Sequence, residues 1–490
     1  MTAKCVMVLG TTSGAGKSWL TTALCRYYAR QGLKVAPFKA QNMSNNARVV
    51  ASENGQGETG SAQYFQALAA RAVPDVRMNP LLLKPERDTH SQVVLMGQVD
   101  AELTAMPWRG RSLKVWPQIA AALDALRAEN DVVVIEGAGS PAEINLSGSD
   151  IVNMRVALHC NAACLLVTDI DRGGAFAHLY GTWALLPEEE RALIKGFVLN
   201  KFRGDATLLA PAPQMLQELT GVPTVATLPM WWHHGLPEED GVFDDRSVAA
   251  GVVTKTVAVI AYPRISNLDE FQPLKNIPGV RLQWVRSPSE LAGLQASDWI
   301  ILPGSKHTTG DLAWLRSQGL DAAIAQHAGQ GGAVLGVCGG LQMLGEALID
   351  THGIDGNAPG LGLLPLVTMF ESDKTVRHTH TRFDALQAGP WAALAGVQVA
   401  GYEIHHGQTQ QHPAMAKAGD VARAVLPDGL GWQNAAGNVL GLYLHGLFED
   451  PHALQALFGA TAPTLESVFD RMADFVAQHF DAGVLDALRQ

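Results

Sequence analysis

Short apolar runs alternate with longer amphipathic segments along the first 230 residues. Each run is rich in β-branched residues and leads into a glycine or polar turn, and then into a segment with helical spacing of apolar residues. The runs are KCVMVLG, LKVAPF, DVVVIEG, ACLLVTD, KGFVLN and PTVATLP. Short apolar strands that alternate with helices predict a parallel sheet covered on both faces. The predicted fold class is therefore α/β.

The same alternation returns in the second half of the chain. Its runs are TVAVIAY, VRLQWV, DWIILPG, AVLGVCG and GNVLGLYLHG. Between the two series, WWHHGLPEEDGVFDDRSVAAG lacks periodicity and is typical of a linker. Near the C-terminus, apolar residues recur at helical spacing from Leu454 to Phe475. We predict a domain at 1–230, a linker at 231–253, a second α/β domain at 254–450 and a helical segment at 451–490.

Composition and charge narrow the class of protein. The chain has 490 residues, a net charge of -11 and 47% hydrophobic residues. Because the chain has no excess of basic residues to neutralise phosphate charges, we do not expect nucleic acid as a partner. No 18-residue apolar run or signal peptide is evident, so no membrane association is expected. The odd, scattered set of five cysteines is typical of reduced thiols in the cytoplasm.

A glycine-rich loop follows the first apolar run. KCVMVLG leads through GTTSGAGKS into the helix-like WLTTALCRYYARQG. Such a loop offers backbone N–H groups and a helix N-terminus to phosphate oxygens. With Gly14 and Gly16 in the loop, Lys17 would reach the β- and γ-phosphates, and Ser18 would bind Mg²⁺. We therefore expect ATP as a co-substrate, with Mg²⁺, although the loop has one residue more between its glycines than the strict pattern.

Further polar residues at strand ends are candidates for the same site. Glu136 ends the run DVVVIEG, where an acid can orient Mg²⁺ across from the phosphate loop. The alternative is a solvated acid at a strand end. Weaker metal candidates are the loop acids Glu58, Asp169 and Asp171. Three polar residues follow the second run and could face the same crevice: Lys39, Gln41 and Asn42. For the asparagines of this stretch, the alternative is that they stabilise turns.

The stretch VLGVCGGLQMLGE predicts a second centre. An apolar strand ends at Val337, and Cys338 stands before two glycines and a helix with Leu341, Leu344 and Leu348 on one face. This is the pattern of a nucleophile elbow, a tight strand-to-helix turn that exposes the side chain at its apex. The glycines permit the strained turn, and the helix N-terminus favours a thiolate. The alternative is an inert buried cysteine.

A catalytic thiolate needs a base and an oxyanion hole. His445 in GLYLHGLFED emerges from an apolar run into a glycine turn, which favours it as the base. His405 and His406 in GYEIHHG compete, and sequence spacing does not decide between them. Backbone N–H groups at Gly339 and at Gly304 in ILPGSKHT are the candidate oxyanion hole.

The combination of an ATP-type loop with a Cys–His elbow resembles the glutamine-dependent amidotransferases, and most closely the cobyric acid synthase family of corrinoid-amidating enzymes. The resemblance covers nearly the whole chain. It rests on GTTSGAGKS, PFKAQNMSNNA, MNPLLLKP, VIEGAGSPAEINL, DIDRGGAFAHLYGT, NKFRGD, ISNLDEF, LPGSKHT, GVCGGLQMLG and GYEIHHG. QNMSNN and EGAGSPAEINL are specific to this family, whereas many amidotransferases share the elbow.

The resemblance implies a role for each domain. The first is similar to dethiobiotin synthetase, whose phosphate loop has the same longer spacing, and the second to class I glutamine amidotransferases. Cys338 would take the glutamine acyl group, with His445 as its base. The common triad has a glutamate two residues after the histidine, where this chain has Leu447. The corrinoid branch lacks that glutamate, so the group that orients His445 is left open, with backbone or water as candidates.

The resemblance also implies a reaction. Cys338 would release ammonia from glutamine, ATP would activate a carboxylate as an acyl phosphate, and ammonia would displace the phosphate. The implied substrate is adenosylcobyrinic acid a,c-diamide, amidated at its b, d, e and g carboxylates to give cobyric acid in cobalamin biosynthesis. Alternatives are cobyrinic acid a,c-diamide synthase, a P-loop ATPase switch of the partitioning type, and a non-catalytic corrinoid-binding protein. NMSNN and SPAEINL favour the first reaction.

Overall fold

The structure, a computed structural model, describes residues 2–52, 55–87, 89–232, 234–237 and 252–490. Most of the predicted linker 231–253 therefore lies outside the described residues, because 233 and 238–251 are not among them.

The first half of the chain is built around a parallel sheet. Its strands are β1 (Lys4–Gly10), β2 (Val35–Phe38), β3 (Gln41–Met43), β4 (Ala47–Ser52), β5 (Gly55–Gly60), β6 (Leu81–Arg87), β7 (His90–Leu95), β8 (Gln98–Val99), β9 (Val132–Glu136), β10 (Ala163–Asp169), β11 (Ile194–Phe202) and β12 (Thr224–Pro229). Its helices are α1 (Lys17–Arg30), α2 (Ser61–Ala69), α3 (Ala101–Ala105), α4 (Trp108–Glu129), α5 (Met154–Cys160), α6 (Ala175–Leu185), α7 (Glu188–Arg191) and α8 (Ala212–Thr220). The main sheet has the order β12-β11-β10-β1-β9-β2, and all of its neighbouring strands are parallel.

This sheet confirms the predicted fold of the first half. Each predicted apolar run forms one of its strands, and apolar side chains are buried on both faces. In the register, Val8 of β1 lies opposite Glu136 of β9, and Gly10 lies opposite Val167 of β10. The loop after β1 and the acid that ends β9 therefore share the carboxyl edge of the sheet, which is where ligands bind in such folds.

Two smaller sheets in residues 41–99 were not predicted. They have the order β3-β6-β7-β8 and the pairing β4-β5. The first strand of the larger one, β3, reads Gln-Asn-Met and lacks the apolar alternation that identifies a strand. Gln41 and Asn42 are nevertheless buried. Residues that follow the second apolar run are thus part of a packed layer and not a surface loop.

The second half contains another α/β unit. Its strands are β13 (Lys255–Ile260), β14 (Ile265–Ser266), β15 (Val280–Val285), β16 (Trp299–Leu302), β17 (Gly304–Ser305), β18 (Ala333–Val337), β19 (Ala347–Asp350), β20 (Ala358–Pro359), β21 (Leu366–Arg382), β22 (Gln398–Gln411), β23 (Arg423–Leu426), β24 (Gly431–Gln433) and β25 (Val439–Leu442). Its helices are α9 (Thr308–Ser317), α10 (Leu320–Gly329), α11 (Gly339–Leu344), α12 (Pro413–Lys417) and α13 (Pro451–Phe458). The main sheet runs β15-β13-β16-β18-β25-β24-β23.

In this sheet, β15, β13, β16, β18 and β25 are parallel to one another, whereas β24 and β23 form an antiparallel edge. The parallel part confirms the prediction for the second half. The long antiparallel pair β21–β22, which packs beside β19 and β20, was not predicted. Beyond Phe370 the side chains of β21 are exposed or half-buried, and that part of its sequence carries no apolar run.

The C-terminal helices return to the first half of the chain. Helices α14 (Leu465–His479) and α15 (Val484–Ala487) follow α13. The buried face of α14, including Val468, Phe469 and Met472, belongs to the core on one side of the first sheet. The guanidinium of Arg26 in α1 donates to Glu466 at 2.6 Å. The helical segment predicted at the C-terminus thus packs against α1.

None of the helices in the described ranges combines the length and apolar character needed to cross a membrane.

The packing of α14 on α1 predicts a stability effect. Phe469 is fully buried and lies under the Arg26 guanidinium, 5.4 Å from its ring centroid. We expect Phe469→Ala to lower the free energy of unfolding by about 3–5 kcal/mol, because it removes a buried ring and leaves a cavity. Urea unfolding followed by circular dichroism measures this change.

The matched control is Asp474→Ala in the same helix. Asp474 forms an exposed ion pair with Arg30, with a nitrogen–oxygen distance of 2.6 Å. Such surface pairs contribute about 1 kcal/mol or less. Equal effects of the two substitutions would show that the α14–α1 contact is not a core contact.

Candidate active site

Cys338 occupies the turn between β18 and α11. Its backbone has φ 51° and ψ −106°, a left-handed conformation that costs a non-glycine residue free energy. The turn is held by a bond from the Cys338 N–H to the Leu442 carbonyl at 2.7 Å, and by one from the Gln342 N–H to the Cys338 carbonyl at 3.1 Å. The predicted strand–turn–helix geometry is present.

Glycine is required around this turn by close packing. A Cβ at Gly340 would lie 1.9 Å from the carbonyl oxygen of Leu302, and one at Gly336 would lie 2.6 Å from the Gly340 carbonyl. Neither position has room for a side chain. Helix α11 therefore packs directly on the backbone of β16 and β18, which fixes the position of Cys338 at its N-terminus.

The prediction that Leu348 lies on the same helical face as Leu341 and Leu344 is wrong. Helix α11 ends at Leu344, and Leu348 lies in β19. The physical reason is the backbone of Gly345, which is extended at φ −68° and ψ −177° and so ends the helix. Leu348 is buried from a strand instead of a helix.

His445 lies beside Cys338, three residues after the end of β25 at Leu442. The Cys338 sulfur lies close enough to the imidazole to raise its pKa, and the same sulfur lies 3.6 Å from the Ile404 carbonyl oxygen. The backbone N–H of His445 donates to the Tyr402 carbonyl at 2.9 Å, and the imidazole stacks on the Tyr402 ring with centroids 5.2 Å apart. The structure therefore brings together the predicted nucleophile and base.

Glu270 holds the other side of the His445 ring. Nδ1 of His445 lies 2.9 Å from Oε1 of Glu270, and Oε2 accepts a bond from the Gly446 N–H at 2.8 Å. The side chains of His445 and Glu270 are each 1% exposed. A carboxylate thus orients the imidazole, although the position two residues after the histidine is the buried Leu447.

The charges around His445 favour its protonated form. Burial by itself lowers the pKa of the imidazole, but the Glu270 carboxylate and the Cys338 sulfur outweigh burial and raise the pKa to about 10. An imidazolium between a carboxylate and a sulfur is therefore retained at neutral pH. This arrangement places a positive charge next to the Cys338 sulfur.

The two competing histidines have other partners. Nε2 of His405 lies 3.2 Å from Glu403, and its ring stacks on Tyr443 with centroids 3.9 Å apart. His405 lines a polar cavity of about 260 Å³. Nδ1 of His406 lies 3.1 Å from the Glu371 carbonyl, and burial, reinforced by the charge of Lys374, lowers the pKa of His406 to about 4. The geometry favours His445 as the base.

The candidate oxyanion-hole residues lie next to the Cys–His pair. A Cβ at Gly304 would be 3.1 Å from Cε1 of His445. One at Gly339 would be 2.8 Å from the backbone nitrogen of Ser305. The backbone after Cys338 and the backbone of β17 therefore meet at this centre. That their N–H groups bind an oxyanion stays a prediction.

The glycine-rich loop lies at the edge of the first sheet. Gly14 and Gly16 have φ 72° and 98°, and a Cβ at Gly16 would lie 2.0 Å from the Asn200 amide nitrogen. Nζ of Lys17 donates to the carbonyls of Thr12 and Gly139 at 3.0 and 3.1 Å. The loop thus curls around the lysine in the manner expected for a phosphate cradle.

Ser18 and Glu136 are in direct contact. The Ser18 hydroxyl donates to Oε1 of Glu136 at 2.7 Å, and Lys39 donates to the same oxygen at 2.7 Å. The amide of Gln66 donates to Oε2 at 2.5 Å. Burial raises the pKa of Glu136, but Lys39, Ser18 and Gln66 outweigh it and lower the pKa below its ordinary value. Glu136 is therefore an available carboxylate at neutral pH.

The donors at this site fit a magnesium ion that arrives with a nucleotide. Within the described ranges, no group of three or more His, Cys, Asp or Glu side chains is arranged to hold a metal. Mg²⁺ in nucleotide sites is usually held by one or two protein ligands together with phosphates and water. The hydroxyl of Ser18 and the carboxylate of Glu136 supply ligands of this kind.

The weaker metal candidates lie in other contacts. Glu58 is 1% exposed and accepts from Lys84 at 2.7 Å and from Lys374. Burial raises the pKa of Glu58, but the two lysines outweigh it and hold the pKa below the usual range. Both carboxylate oxygens of Glu58 are therefore bonded to lysines, and its role as a weaker metal ligand stays a prediction.

The two aspartates lie beside the phosphate loop but are paired. Asp169 forms ion pairs with Lys201 at 3.2 Å and Arg172 at 3.4 Å, and Asp171 accepts from Arg203 at 2.6 Å. Nζ of Lys201 also donates to the Gly14 carbonyl at 2.8 Å. These contacts support the loop and do not resemble a metal site.

Of the polar residues after the second run, Lys39 reaches Glu136, as described. Gln41 and Asn42 are buried in β3. Gln66 and Glu270 were missed by sequence reasoning. Glu270 lies in the stretch ISNLDEF, far from His445 in sequence. No local pattern in that stretch indicates that Glu270 contacts the histidine.

Two family models match the chain. The model described as the CobQ/CobB/MinD/ParA nucleotide binding domain matches residues 6–237. The model described as the CobB/CobQ-like glutamine amidotransferase domain matches residues 256–453. Each of the two centres described above lies within one of these ranges.

Proteins named cobyric acid synthase match over the full length. The chain is 81% identical to the one from Albidiferax ferrireducens and 80% identical to the one from Polaromonas naphthalenivorans, with 100% of both chains covered in each case. It is 64% identical to the one from Leptothrix cholodnii, with 99% of this chain and 97% of that protein covered.

The Glu270–His445 contact predicts a pH effect. We expect Glu270→Gln to lower the His445 pKa from about 10 towards its ordinary value, because the charge that outweighs burial is removed. The stabilisation of the fold by the charged pair is complete below the unfolded pKa and is lost as pH rises through about 10. NMR titration of labelled histidines measures the pKa.

A second readout is the rate at which iodoacetamide alkylates Cys338 at neutral pH, which we expect to fall by about tenfold or more. Glu403→Gln is the matched control, because it removes a carboxylate from His405, at 3.2 Å, and leaves His445 unchanged. An unchanged His445 titration in Glu270→Gln would contradict the assignment.

Proposed function

The chain belongs to the cobyric acid synthase family, and on this premise we propose that it amidates the b, d, e and g carboxylates of adenosylcobyrinic acid a,c-diamide with glutamine and ATP. The product is cobyric acid, an intermediate of cobalamin biosynthesis. The observation that carries the proposal is the presence, on one chain, of a buried Cys338–His445–Glu270 arrangement and a phosphate loop with Ser18 on Glu136. A glutamine-hydrolysing ligase needs both centres.

The glutamine half-reaction uses the second centre. The Cys338 sulfur attacks the side-chain amide carbon of glutamine, and the backbone around Gly339 and Gly304 stabilises the oxyanion. The carbon–nitrogen bond breaks as the His445 imidazolium gives its proton to the leaving ammonia. The neutral imidazole then takes a proton from a water molecule whose oxygen attacks the thioester carbon, and the carbon–sulfur bond breaks. This step releases glutamate and restores the thiolate and the imidazolium. Glu270 keeps the imidazole oriented through both steps.

The synthetase half-reaction uses the first centre. A carboxylate resists amines until one of its oxygens becomes a leaving group, so an acyl phosphate is formed from ATP. Lys17 and the loop N–H groups hold the β- and γ-phosphates, where charge shifts during transfer. Ser18 and Glu136 would hold Mg²⁺, which when bound neutralises phosphate charge. Ammonia then attacks the acyl carbon and phosphate leaves.

The position of Lys39 supports a role in this half-reaction. Its ammonium is 9% exposed and lies 2.7 Å from Glu136. It therefore keeps the carboxylate ionised, and it brings a positive charge to the edge of the sheet where an anionic acceptor would meet the γ-phosphate. Transfer of ammonia within the protein is part of the proposal, because ammonia in water at neutral pH is mostly protonated and unreactive.

The alternatives differ in what they leave unexplained. Cobyrinic acid a,c-diamide synthase uses the same chemistry on other carboxylates, and relatives named cobyric acid synthase at 80–81% identity favour the later reaction. A P-loop ATPase switch of the partitioning type does not account for the matched amidotransferase domain at 256–453. A non-catalytic role does not account for the Cys338–His445–Glu270 arrangement.

Cys338→Ala separates the two nitrogen sources. We expect glutamine-driven amidation to fall by about 10³-fold or more, because the nucleophile is removed, whereas amidation from added ammonium salt stays within about twofold. Product amides are counted by mass spectrometry. Loss of both activities in a folded variant would contradict the two-centre proposal.

Lys17→Ala gives the complementary result. We expect amidation from glutamine and from ammonia to fall together by about 10²-fold or more, because the phosphate charge is no longer balanced. Hydrolysis of glutamine to glutamate should continue. Lys195→Ala, at an exposed lysine that donates to Ala192, is the matched control. Amidation at the wild-type rate in Lys17→Ala would place the ATP site elsewhere.

A further inference from the structure

The support of His445 is completed by the N-terminal half of the chain. We define the support segment as Asn267–Glu270, which ends in the carboxylate that holds His445. A stretch at the start of β4, Asn46–Arg48, docks on it. The Leu268 N–H donates to the Asn46 side-chain oxygen at 3.0 Å. The Asn267 amide donates to the Ala47 carbonyl at 2.6 Å.

Arg48 makes the third contact. Its guanidinium donates to Asp269, the neighbour of Glu270 in the support segment. It also donates to both carboxylate oxygens of Glu449 at 2.6 Å, in a bidentate pair. Glu449 lies in the turn that follows His445. One side chain therefore ties together the segments on both sides of the His445–Glu270 contact.

The Arg48 side chain is buried and closely packed. The Arg48 side chain is 2% exposed, and the Asp269 side chain is 0% exposed. The guanidinium lies 5.1 Å from the centroid of Tyr402, the ring on which His445 stacks. Phe65 lies on another side, at 5.0 Å. A buried guanidinium with several hydrogen-bond partners fixes the positions of those partners, because any rotation of its plane breaks several hydrogen bonds at once.

The distribution of charge around Arg48 also indicates that it holds the support segment in place. Asp269 and Glu270 place two buried carboxyl groups in this region, and Glu449 adds a third whose side chain is 26% exposed. Arg48 contributes the positive charge that faces Asp269 and Glu449, whereas the imidazolium of His445 faces Glu270. Without Arg48, the buried Asp269 carboxylate and the partly buried Glu449 carboxylate would lose their partner, and the support segment would have to move or take up a proton.

We propose that Arg48 is a positioning residue for glutamine hydrolysis, supplied by the N-terminal half. It fixes Asp269 and Glu449, and so the direction in which Glu270 holds His445. The inference rests on the proposed function, since it assigns the docked Asn46–Arg48 stretch to the glutamine half-reaction. It implies that the second half alone has an incomplete glutamine site.

The test compares two activities of the same full-length preparation. Arg48→Met should lower kcat for glutamine hydrolysis by about tenfold or more, with KM for glutamine within about threefold, because the base is misdirected. Ammonia-driven amidation should stay within about threefold of wild type, since the phosphate loop is untouched. Arg48→Lys should recover part of kcat, because an ammonium can reach one carboxylate but not both.

Arg26→Met is the matched control. Arg26 is also a fully buried arginine with two acidic partners, Glu466 and Asp470, but it joins α1 to α14. Its loss should leave the ratio of glutamine-driven to ammonia-driven amidation at the wild-type value. A fall in that ratio equal to the fall in Arg48→Met would show a general effect of buried charge and would overturn the proposal.

Two further outcomes are decisive. If Arg48→Met does not fold, Arg48→Lys and Asn46→Ala carry the test, because Asn46→Ala removes the acceptor of the Leu268 N–H and leaves Arg48 in place. A wild-type kcat for glutamine hydrolysis in these folded variants overturns the proposal. Failure of the proposed function is seen separately, as wild-type protein that hydrolyses glutamine but transfers no nitrogen to the corrinoid.

Discussion

The bond between the His445 imidazole and the Glu270 carboxylate, 2.9 Å long and almost fully buried, is the contact on which the second centre depends. It joins groups 175 positions apart in sequence. A buried carboxylate is costly unless its oxygens are satisfied, and here one accepts from the imidazole and the other from the Gly446 N–H. The same contact keeps the imidazole charged next to the Cys338 sulfur. Orientation and electrostatics are therefore provided by one carboxylate.

The first centre follows the same physical rule. Glu136 is also buried, and its oxygens are bonded to Ser18, Lys39 and Gln66. Each donor comes from a different element, so the carboxylate also fixes how α1, β2 and α2 meet at the edge of the sheet. In both centres a satisfied buried acid sets the direction of the groups that carry the chemistry. The two centres differ in the ligand proposed for each, but both are built around a buried carboxylate whose oxygens are hydrogen-bonded.

The parts of the fold that were predicted are those with local signals. The apolar runs around β1, β9 and β10 predicted their strands because fully buried strands need continuous apolar sequence. The turn at Cys338 was predicted because glycines must flank a strained residue packed on neighbouring backbone. The position of Glu136 across from the phosphate loop was predicted from the rule that carboxyl ends of parallel strands share an edge.

The parts that were missed depend on partners distant in sequence. Glu270 and Arg48 lie in stretches without a periodic pattern, and only the fold brings them to His445. Strand β3 was missed because its buried side chains, Gln41 and Asn42, are polar. Leu348 was assigned to a helix because leucine spacing continued past Gly345, whereas the extended backbone of that glycine ends the helix. Local spacing does not report such tertiary effects.

The measurement that tests the central claim most directly is an isotope competition. Wild-type protein is given adenosylcobyrinic acid a,c-diamide, ATP, Mg²⁺, amide-¹⁵N-glutamine and an excess of unlabelled ammonium salt, and the product amides are analysed by mass spectrometry. Coupled centres predict stepwise gain of amides that carry ¹⁵N despite the unlabelled pool. Amides that carry the isotope ratio of the bulk ammonium, or no amides while glutamine and ATP are consumed, would contradict the coupling of the two centres on this acceptor.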